Sequence, residues 1–456
     1  DVTPPEIDLS ASHEIFSPDG DGRRDEVQIR QSTGPAERWR AEIVDADGQT
    51  VRRYTWNEEA QSLTWNGRDA AGNVVPDGTY RYELSGTDAA GNTAEDSLPA
   101  LSVDTRPTRV FVTLDRRIIS PNGDGVDDEV SIRTITRRTD GAQRREVAVV
   151  DASGAVVHSF ASDTVTAQET ITWDGTTERA GTNDTAPDGD YRVRYRVFYD
   201  NGAIGEATSP TLRVDTRGPE LAVDLEGLPF SPDNDGLNDE LQISLAAEDA
   251  SEIQEWEFVI LDRNDRPFQR FDGRGQPRSE LLWDGRSSDG ELVISAEDYP
   301  YRFTAADSTG NRSTVTGEIP IDILVVRDGD LLKVQISNIN FAPNSPELEL
   351  DQSTEDGRKN ISVLDRLVEV FDKYGSYEIR VEGHAVNISG TEREEREELL
   401  PLSSSRAETV REALIDRGMD PDRITIVGRG GSDPIVPHTD LENRWKNRRV
   451  EFILIR

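Results

Sequence analysis

Through most of this chain, apolar and polar residues alternate. Trp39, Ala41 and Ile43 form one such series, Tyr80, Tyr82 and Leu84 a second, and Val193, Tyr195 and Val197 a third. A period of two puts successive side chains on opposite faces, so these stretches predict strands with one buried face. Clusters of Gly, Asn and Asp punctuate them and supply the left-handed positions of tight turns. Almost no helical period is visible before residue 350. Beyond it the pattern changes. Ile361, Leu364, Leu367, Val368 and Phe371 fall on one stripe and predict a helix over 353–374. A second helix is expected over 403–417, with Ser403 as N-cap and Gly418 as its stop. The stretches 332–336, 378–382, 424–427 and 450–454 read as strands. Strands alternating with helices predict a mixed sheet with helices packed on it.

The strand-rich part is repetitive. Phe16-Ser17-Pro18-Asp19-Gly20-Asp21-Gly22 returns as Ile119-Ser120-Pro121-Asn122-Gly123-Asp124-Gly125 and again as Phe230-Ser231-Pro232-Asp233-Asn234-Asp235-Gly236. Each copy is followed by Trp65-Asn66-Gly67, Trp173-Asp174-Gly175 or Trp283-Asp284-Gly285. Then come Tyr80-Arg81-Tyr82, Tyr191-Arg192-Val193 and Tyr301-Arg302-Phe303. A turn, Asp88-Ala89-Ala90-Gly91-Asn92, is echoed at Asp307–Asn311 and more weakly at Asp200-Asn201-Gly202. The repeated tryptophans read as core residues rather than sugar-stacking platforms.

The repeat length fits one β-sandwich each. Expected boundaries are 1–104, 105–215, 216–326 and 327–456. Val103-Asp104-Thr105-Arg106-Pro107 and Val214-Asp215-Thr216-Arg217-Gly218-Pro219 mark the joints, where proline stiffens the connection and favours an extended rod. Asp104 and Asp215 stand fifteen residues before Ile119 and Phe230, as Asp1 does before Phe16. Residue 1 thus falls on a joint, and the natural protein is expected to continue upstream.

The net charge of −38 sets nucleic acid and anionic lipid surfaces aside as partners. With no cysteine there is no disulfide, thiol catalysis or cysteine zinc site. No run approaches the ~20 apolar residues of a membrane helix. His13, His158 and His438 show no metal spacing, and His384 reads as a structural hydrogen-bonding residue. No nucleophile elbow, phosphate loop or zinc-protease motif is present, so a wall-remodelling enzyme is set aside.

The Ser-Pro loops invite a calcium reading. They carry Asp19, Asp21 and Asp25, then Asn122, Asp124 and Asp128, then Asp233, Asp235 and Asp239. Alternate oxygen ligands before a glycine suit a hard cation. Yet Gln28, Ser131 and Gln242 stand where a bidentate Glu would close an EF-hand-type loop. A turn whose side chains cap its own N–H groups is favoured, with calcium as the second reading.

The Ser-Pro-[Asp/Asn] signature and the Asp-x-x-Gly-Asn turn resemble the bacterial Ig-like modules of flagellar hook-capping and gliding-associated proteins. The last third carries Asn340-Phe341-Ala342-Pro343-Asn344-Ser345, Val381-Glu382-Gly383-His384 and Leu402-Ser403-Ser404-Ser405-Arg406-Ala407. It closes with Gly428-Arg429-Gly430-Gly431-Ser432-Asp433 and Asn447-Arg448-Arg449-Val450-Glu451. This series resembles the OmpA-like C-terminal domain, a periplasmic peptidoglycan-binding module of Gram-negative outer-membrane proteins. The fold expected is therefore three all-β Ig-like sandwiches followed by an α/β domain.

The resemblance implies a site for the zwitterionic diamino acid of the peptidoglycan stem. Arg406, at the expected helix start, would take its carboxylate, with Asn344, Asn447 and Arg448 around it. Two positions depart from the family pattern. Ala385-Val386 follow Gly383-His384, so Val386 stands where an aspartate would take the ammonium, and Leu399 replaces an asparagine. The run 392–398 adds a charged loop, read as solvated, from which a glutamate could replace the aspartate. Loss of the site and a different wall diamine, such as ornithine, are the other readings. The implied protein is non-enzymatic, periplasmic and outer-membrane associated. It faces peptidoglycan, with weak or altered diaminopimelate binding, and meets envelope proteins not identified by the sequence. The rival is a protein–protein scaffold that has lost peptidoglycan binding.

Overall fold

A computed structural model describes residues 2–178, 184–337, 339–342 and 344–456. The chain forms two compact units, Asp1–Thr216 and Arg217–Arg456.

The first unit holds two copies of one plan. In the first copy, Ile7–Ala11, Val27–Thr33 and Leu63–Trp65 make a three-stranded sheet. A five-stranded sheet runs in the order Ile15–Phe16, Thr93–Val103, Gly78–Thr87, Ala36–Val44, Thr50–Glu58. The alternating residues named above turn inward, and Trp39, Ala41, Ile43, Tyr80, Tyr82 and Leu84 share a core with Phe16 and Trp65. The second copy repeats this around Trp173, Val193, Tyr195 and Val197.

The repeated motifs recur together because they touch. A Cβ on Gly67 would run into Pro18 and Phe16, one on Gly175 into Pro121, and one on Gly285 into Pro232 and Phe230. These glycines also have φ of 66°, 75° and 76°, a region that disfavours other residues. Each neighbouring tryptophan is fully buried and donates its indole N–H to a carbonyl three residues on, at Arg68, Thr176 and Arg286. The Ser-Pro loop is thus the lid on the Trp-x-Gly turn, and the tryptophans are core.

The second unit begins with the third copy. It has a three-stranded sheet, Glu220–Glu226, Leu241–Glu248 and Leu281–Trp283. Its four-stranded sheet runs Pro267–Arg274, Ile253–Leu261, Asp298–Asp307, Arg312–Pro320. The register of the third copy departs from the expected alignment of Tyr301 with Tyr80 and Tyr191. Tyr82 lies opposite Ile43, and Tyr301 lies opposite Ile260 in the matching strand pair. Tyr299, buried and accepting the Ile294 N–H at 3.1 Å, therefore stands where Tyr80 and Tyr191 stand. Arg302 made Tyr301 look like the match. A slip of two keeps every side chain on its face, so periodicity could not detect it.

The C-terminal domain follows. Strands β1 (Val326–Asp328), β2 (Leu331–Ile336), β3 (Glu378–His384), β4 (Ile424–Gly430) and β5 (Val450–Ile455) form one sheet in the order β1-β2-β5-β3-β4. Only β3 and β4 are parallel, joined through the helical crossover that parallel pairing requires. Helix α1 (Glu355–Lys373) starts at Thr354, whose side chain accepts the Gly357 N–H at 3.0 Å. Its expected stripe packs Leu364, Leu367 and Phe371 onto Val334, Val381 and Phe452 of the sheet.

The second helix differs from expectation. It begins at Glu392–Glu394 behind the N-cap Thr391, passes through a π turn at Glu395–Leu399, and continues as α2 (Leu400–Ile415). The charged run is helix, not a solvated loop. Ser403 is buried inside the helix, donating to the Leu400 carbonyl and accepting the Gly430 N–H at 2.9 Å. Gly418, at φ 99°, ends the helical segment as expected. The Met419 N–H reaches the Leu414 carbonyl and the Gly418 N–H reaches Ile415.

Candidate ligand site

Arg406 lies in the second turn of α2, well inside the continuous helical segment. Arg406 therefore gains nothing from a helix N-terminus, and only its own surroundings favour an anion. Arg406 is half-buried. Its Nε donates to the Ser345 carbonyl at 3.1 Å, and its guanidinium carbon sits 4.8 Å from the Phe341 ring centroid. No carboxylate pairs with it among the described residues. Burial, and then the charge of Arg448, hold its pKa below the ordinary arginine value. Two guanidiniums thus act on one region, and an anion would relieve the partly desolvated Arg406.

The segment that holds Arg406 also carries Asn344, exposed and in the left-handed region at φ 53°. Pro343 lies outside the described residues. Arg448 is exposed beside the site. Asn447 has a different job. It is fully buried, its Oδ1 accepts the Ile435 and Val436 N–H groups at 2.8 and 3.0 Å, and its Nδ2 donates to the Val436 carbonyl at 2.8 Å. Its amide is spent on holding the strand's approach.

Ala385, Val386 and Leu399 are all buried and present an apolar wall. An acid nevertheless reaches the end of β3. The Glu395 carboxylate, in the π turn, accepts the Gly431 N–H at 2.8 and 3.0 Å and the Asn387 amide at 3.1 Å. Only glycine permits this approach, because a Cβ on Gly430 would collide with that carboxylate. The Gly430-Gly431 pair is the sequence signal for it, but a loop over 392–398 would leave that pair without its partner.

A second polar group lies within the sheet, where sequence reasoning foresaw nothing. Glu382 accepts from Nε and Nη2 of Arg429, at 2.7 and 2.9 Å, and from Arg380 at 2.6 Å. Glu451, its cross-strand neighbour, accepts the buried Arg449 at 2.6 Å. Burial pushes the Glu382 carboxyl up, but Arg429 and Arg380 outweigh that and hold it below its usual value. His384 is 2 % exposed, and neither ring nitrogen has a hydrogen-bond partner. Its expected hydrogen-bonding role is thereby corrected. Burial, then Arg449, lowers its pKa to about 4, so the ring is neutral. Glu382, His384 and Glu451 bring metal-competent atoms within 4.8 Å of one another. Three guanidiniums already match the two carboxylates, so a dication would meet surplus positive charge.

In the Ser-Pro loops the carboxylates serve the backbone. Asp25 accepts the Gly20 and Gly22 N–H groups, each at 2.7 Å. Asp128 accepts Gly123 and Gly125 at 2.9 and 2.8 Å, and Asp239 accepts Asn234 and Gly236 at 2.6 and 2.8 Å. Asp19, Asn122 and Asp233 each accept the N–H two residues on, as do Asp21, Asp124 and Asp235. The carboxylates of Asp19, Asp21 and Asp25 still lie within 4.8 Å of one another, as do those of Asp233, Asp235 and Asp239.

Comparison with known proteins locates two families along the chain. Residues 340–448 match the OmpA family, and residues 16–95 match the FlgD Ig-like domain. The C-terminal domain belongs to the OmpA family. The probable lipoprotein YiaD of Escherichia coli (strain K12) is 29% identical over 133 residues, 29% of this chain and 55% of the relative. The peptidoglycan-associated lipoprotein of Rhizobium meliloti (strain 1021) is 33% identical over 93 residues, 20% of this chain and 50% of the relative. The chain thus spans about half the length of these two relatives. Among solved structures, a putative MotB-like protein from Desulfovibrio vulgaris is 29% identical. The match covers 29% of this chain and 76% of that one, with a TM-score of 0.24. No helix among the described residues is long and apolar enough to cross a membrane.

Proposed function

We propose that this is a non-enzymatic envelope protein of the periplasm, in which three Ig-like modules carry an OmpA-family domain that binds peptidoglycan. One observation carries the reading: Arg406 is a half-buried cation with no carboxylate partner among the described residues, beside a second arginine, Arg448. Burying a charge without a counter-ion is costly, so a site that keeps one is poised for an anionic ligand. A peptidoglycan stem carboxylate fits the planar fork of Arg406. Glu395 is the group we assign to the ammonium of the diamino acid, in place of the aspartate that Val386 displaces. Because its carboxylate already serves Gly431 and Asn387, diaminopimelate binding is weak or altered. The Ser-Pro loops act as self-capped turns, and calcium is their second reading; a rise in melting temperature with millimolar calcium would support the metal.

The test is co-sedimentation of the full chain with purified peptidoglycan, beside titration of diaminopimelate and ornithine. Wild type should sediment and Arg406→Ala should not. Equal sedimentation of the two, or none by wild type, overturns the reading. Val386→Asp should strengthen diaminopimelate binding if an added acid completes the clamp. The apolar wall of Ala385, Val386 and Leu399 favours the rival, a protein–protein scaffold without wall binding, and failure of wild type to bind either amino acid or peptidoglycan would favour it.

A further inference from the structure

The third repeat and the OmpA-family domain are welded inside one compact unit. The chain between them alternates between two cores. Ile321 and Leu324 belong to the core of the third repeat, whereas Ile323 and Val325 belong to the core of the C-terminal domain. Ala296 of the third repeat also packs against that second core. Arg366 of α1 holds Asp322 bidentately, at 2.8 and 2.6 Å, and the Asp233 carboxylate of the third Ser-Pro loop accepts the Val325 N–H at 2.9 Å. A joint shared by two cores cannot swing without exposing apolar surface from both.

Beyond the joint, the third repeat grips one particular segment of the domain. The Arg263 guanidinium carbon lies 4.1 Å from the Trp445 ring centroid, and its Nε is 3.7 Å from Glu297. Lys446 pairs with Glu291, and Glu442 pairs with Arg266. All three gripped residues, Glu442, Trp445 and Lys446, lie just before Asn447 and Arg448. The 3-10 turn Arg444–Asn447 ends on Arg448, whose N–H reaches the Trp445 carbonyl at 2.9 Å. The grip therefore falls on the turn that aims Arg448, the cation beside Arg406.

We infer that the third repeat is not only a spacer but the positioning element of the ligand site. Arg263, Glu291 and Arg266 are positioning residues that act on an anionic ligand through Trp445, Lys446 and Glu442, and so through Arg448. This rests on the proposal that Arg406 and Arg448 receive a carboxylate. The site is then a property of the pair of domains, and the domain freed of its clamp binds its ligand more weakly.

The experiment is done on the full chain, with diaminopimelate and soluble muropeptide as probes. Wild type, Arg406→Ala, Arg448→Ala, the clamp variant Arg263→Ala/Glu291→Ala, and Arg448→Ala combined with the clamp variant are titrated calorimetrically. The clamp variant should raise Kd about three- to ten-fold, the usual size of coupling through neighbouring groups, with an unchanged melting temperature. In the Arg448→Ala background it should change nothing further. Arg263→Lys, which keeps the cation over Trp445, should restore most of the affinity lost by Arg263→Ala. Binding that is lost in Arg406→Ala but equal in wild type and the clamp variant overturns the positioning role while leaving the proposed function standing. An undiminished clamp effect without Arg448 also overturns it. No binding by wild type removes both.

Discussion

Two arginines of the same domain show opposite solutions to one problem. Arg449 is buried, and its charge is met by Glu451 at 2.6 Å. Arg406 is half-buried, and it is met by a carbonyl, an aromatic face and another cation. A buried ion pair costs desolvation and returns it as Coulomb attraction and fixed register. Without a carboxylate, Arg406 recovers only a hydrogen bond and a ring contact until an anion arrives. The difference separates an arginine spent on the fold from one held for a ligand. Motif resemblance alone could not draw that line, because Arg406, Arg429, Arg448 and Arg449 all lie in family landmarks.

The comparison breaks most sharply at Arg449. Arg449→Ala would leave Glu451 buried beside neutral His384, and should cost about 3–5 kcal/mol of stability. Urea unfolding should show this, with ligand affinity unchanged wherever the domain stays folded. If the variant is as stable as wild type, Arg449 is not spent on the fold.

His384 tests the same closed region by pH. Its value in the folded protein, about 4, lies below the ordinary 6.5. Unfolding therefore takes up a proton between these values. The stability from keeping the ring neutral is complete above pH 6.5 and is lost as pH falls through 4. The loss approaches about 3 kcal/mol for this one group. His384→Phe should flatten that part of the pH profile in urea midpoints taken from pH 7 to 4. An unaltered profile would show the ring to be charged or exposed.

Arg406→Ala should do the reverse of Arg449→Ala. It removes a charge-assisted contact to ligand of about 2 kcal/mol, or about thirty-fold in affinity. Melting temperature should hold or rise slightly, since a desolvated cation is gone. A stability loss as large as that of Arg449→Ala would erase the distinction.

The smallest expected effect sharpens the other half of the site. Glu395→Gln should weaken diaminopimelate by about five-fold, roughly 1 kcal/mol, and leave a plain monocarboxylate such as acetylated alanine unchanged. Equal losses for both ligands would show that Glu395 shapes the π turn rather than meeting the ammonium.

The strands were legible in the sequence wherever burial alternates, as at Trp39-Ala41-Ile43, because a period of two follows directly from the pleat. The stripe of α1 and the stop at Gly418 were legible for the same local reason. So were the three repeats, since the Ser-Pro and Trp-x-Gly motifs are fixed to one another by contact. The register of Tyr299 against Tyr301 was not, because a two-residue slip leaves the pattern unchanged. Nor was the true start of the second helix. Ser403 looks like a cap by composition, and only its burial against Gly430 shows that Thr391 holds that role. The candidate site divides in the same way. Sequence nominated Arg406, Asn344, Asn447 and Arg448 by motif order, and marked Val386 and Leu399 as departures. Tertiary structure decided that Asn447 clips the backbone, that Glu395 arrives at the end of β3, and that Arg406 has no carboxylate among its described neighbours. Local pattern records how each segment meets water; which charges meet each other depends on segments far apart in the chain, and that is set only when the fold closes.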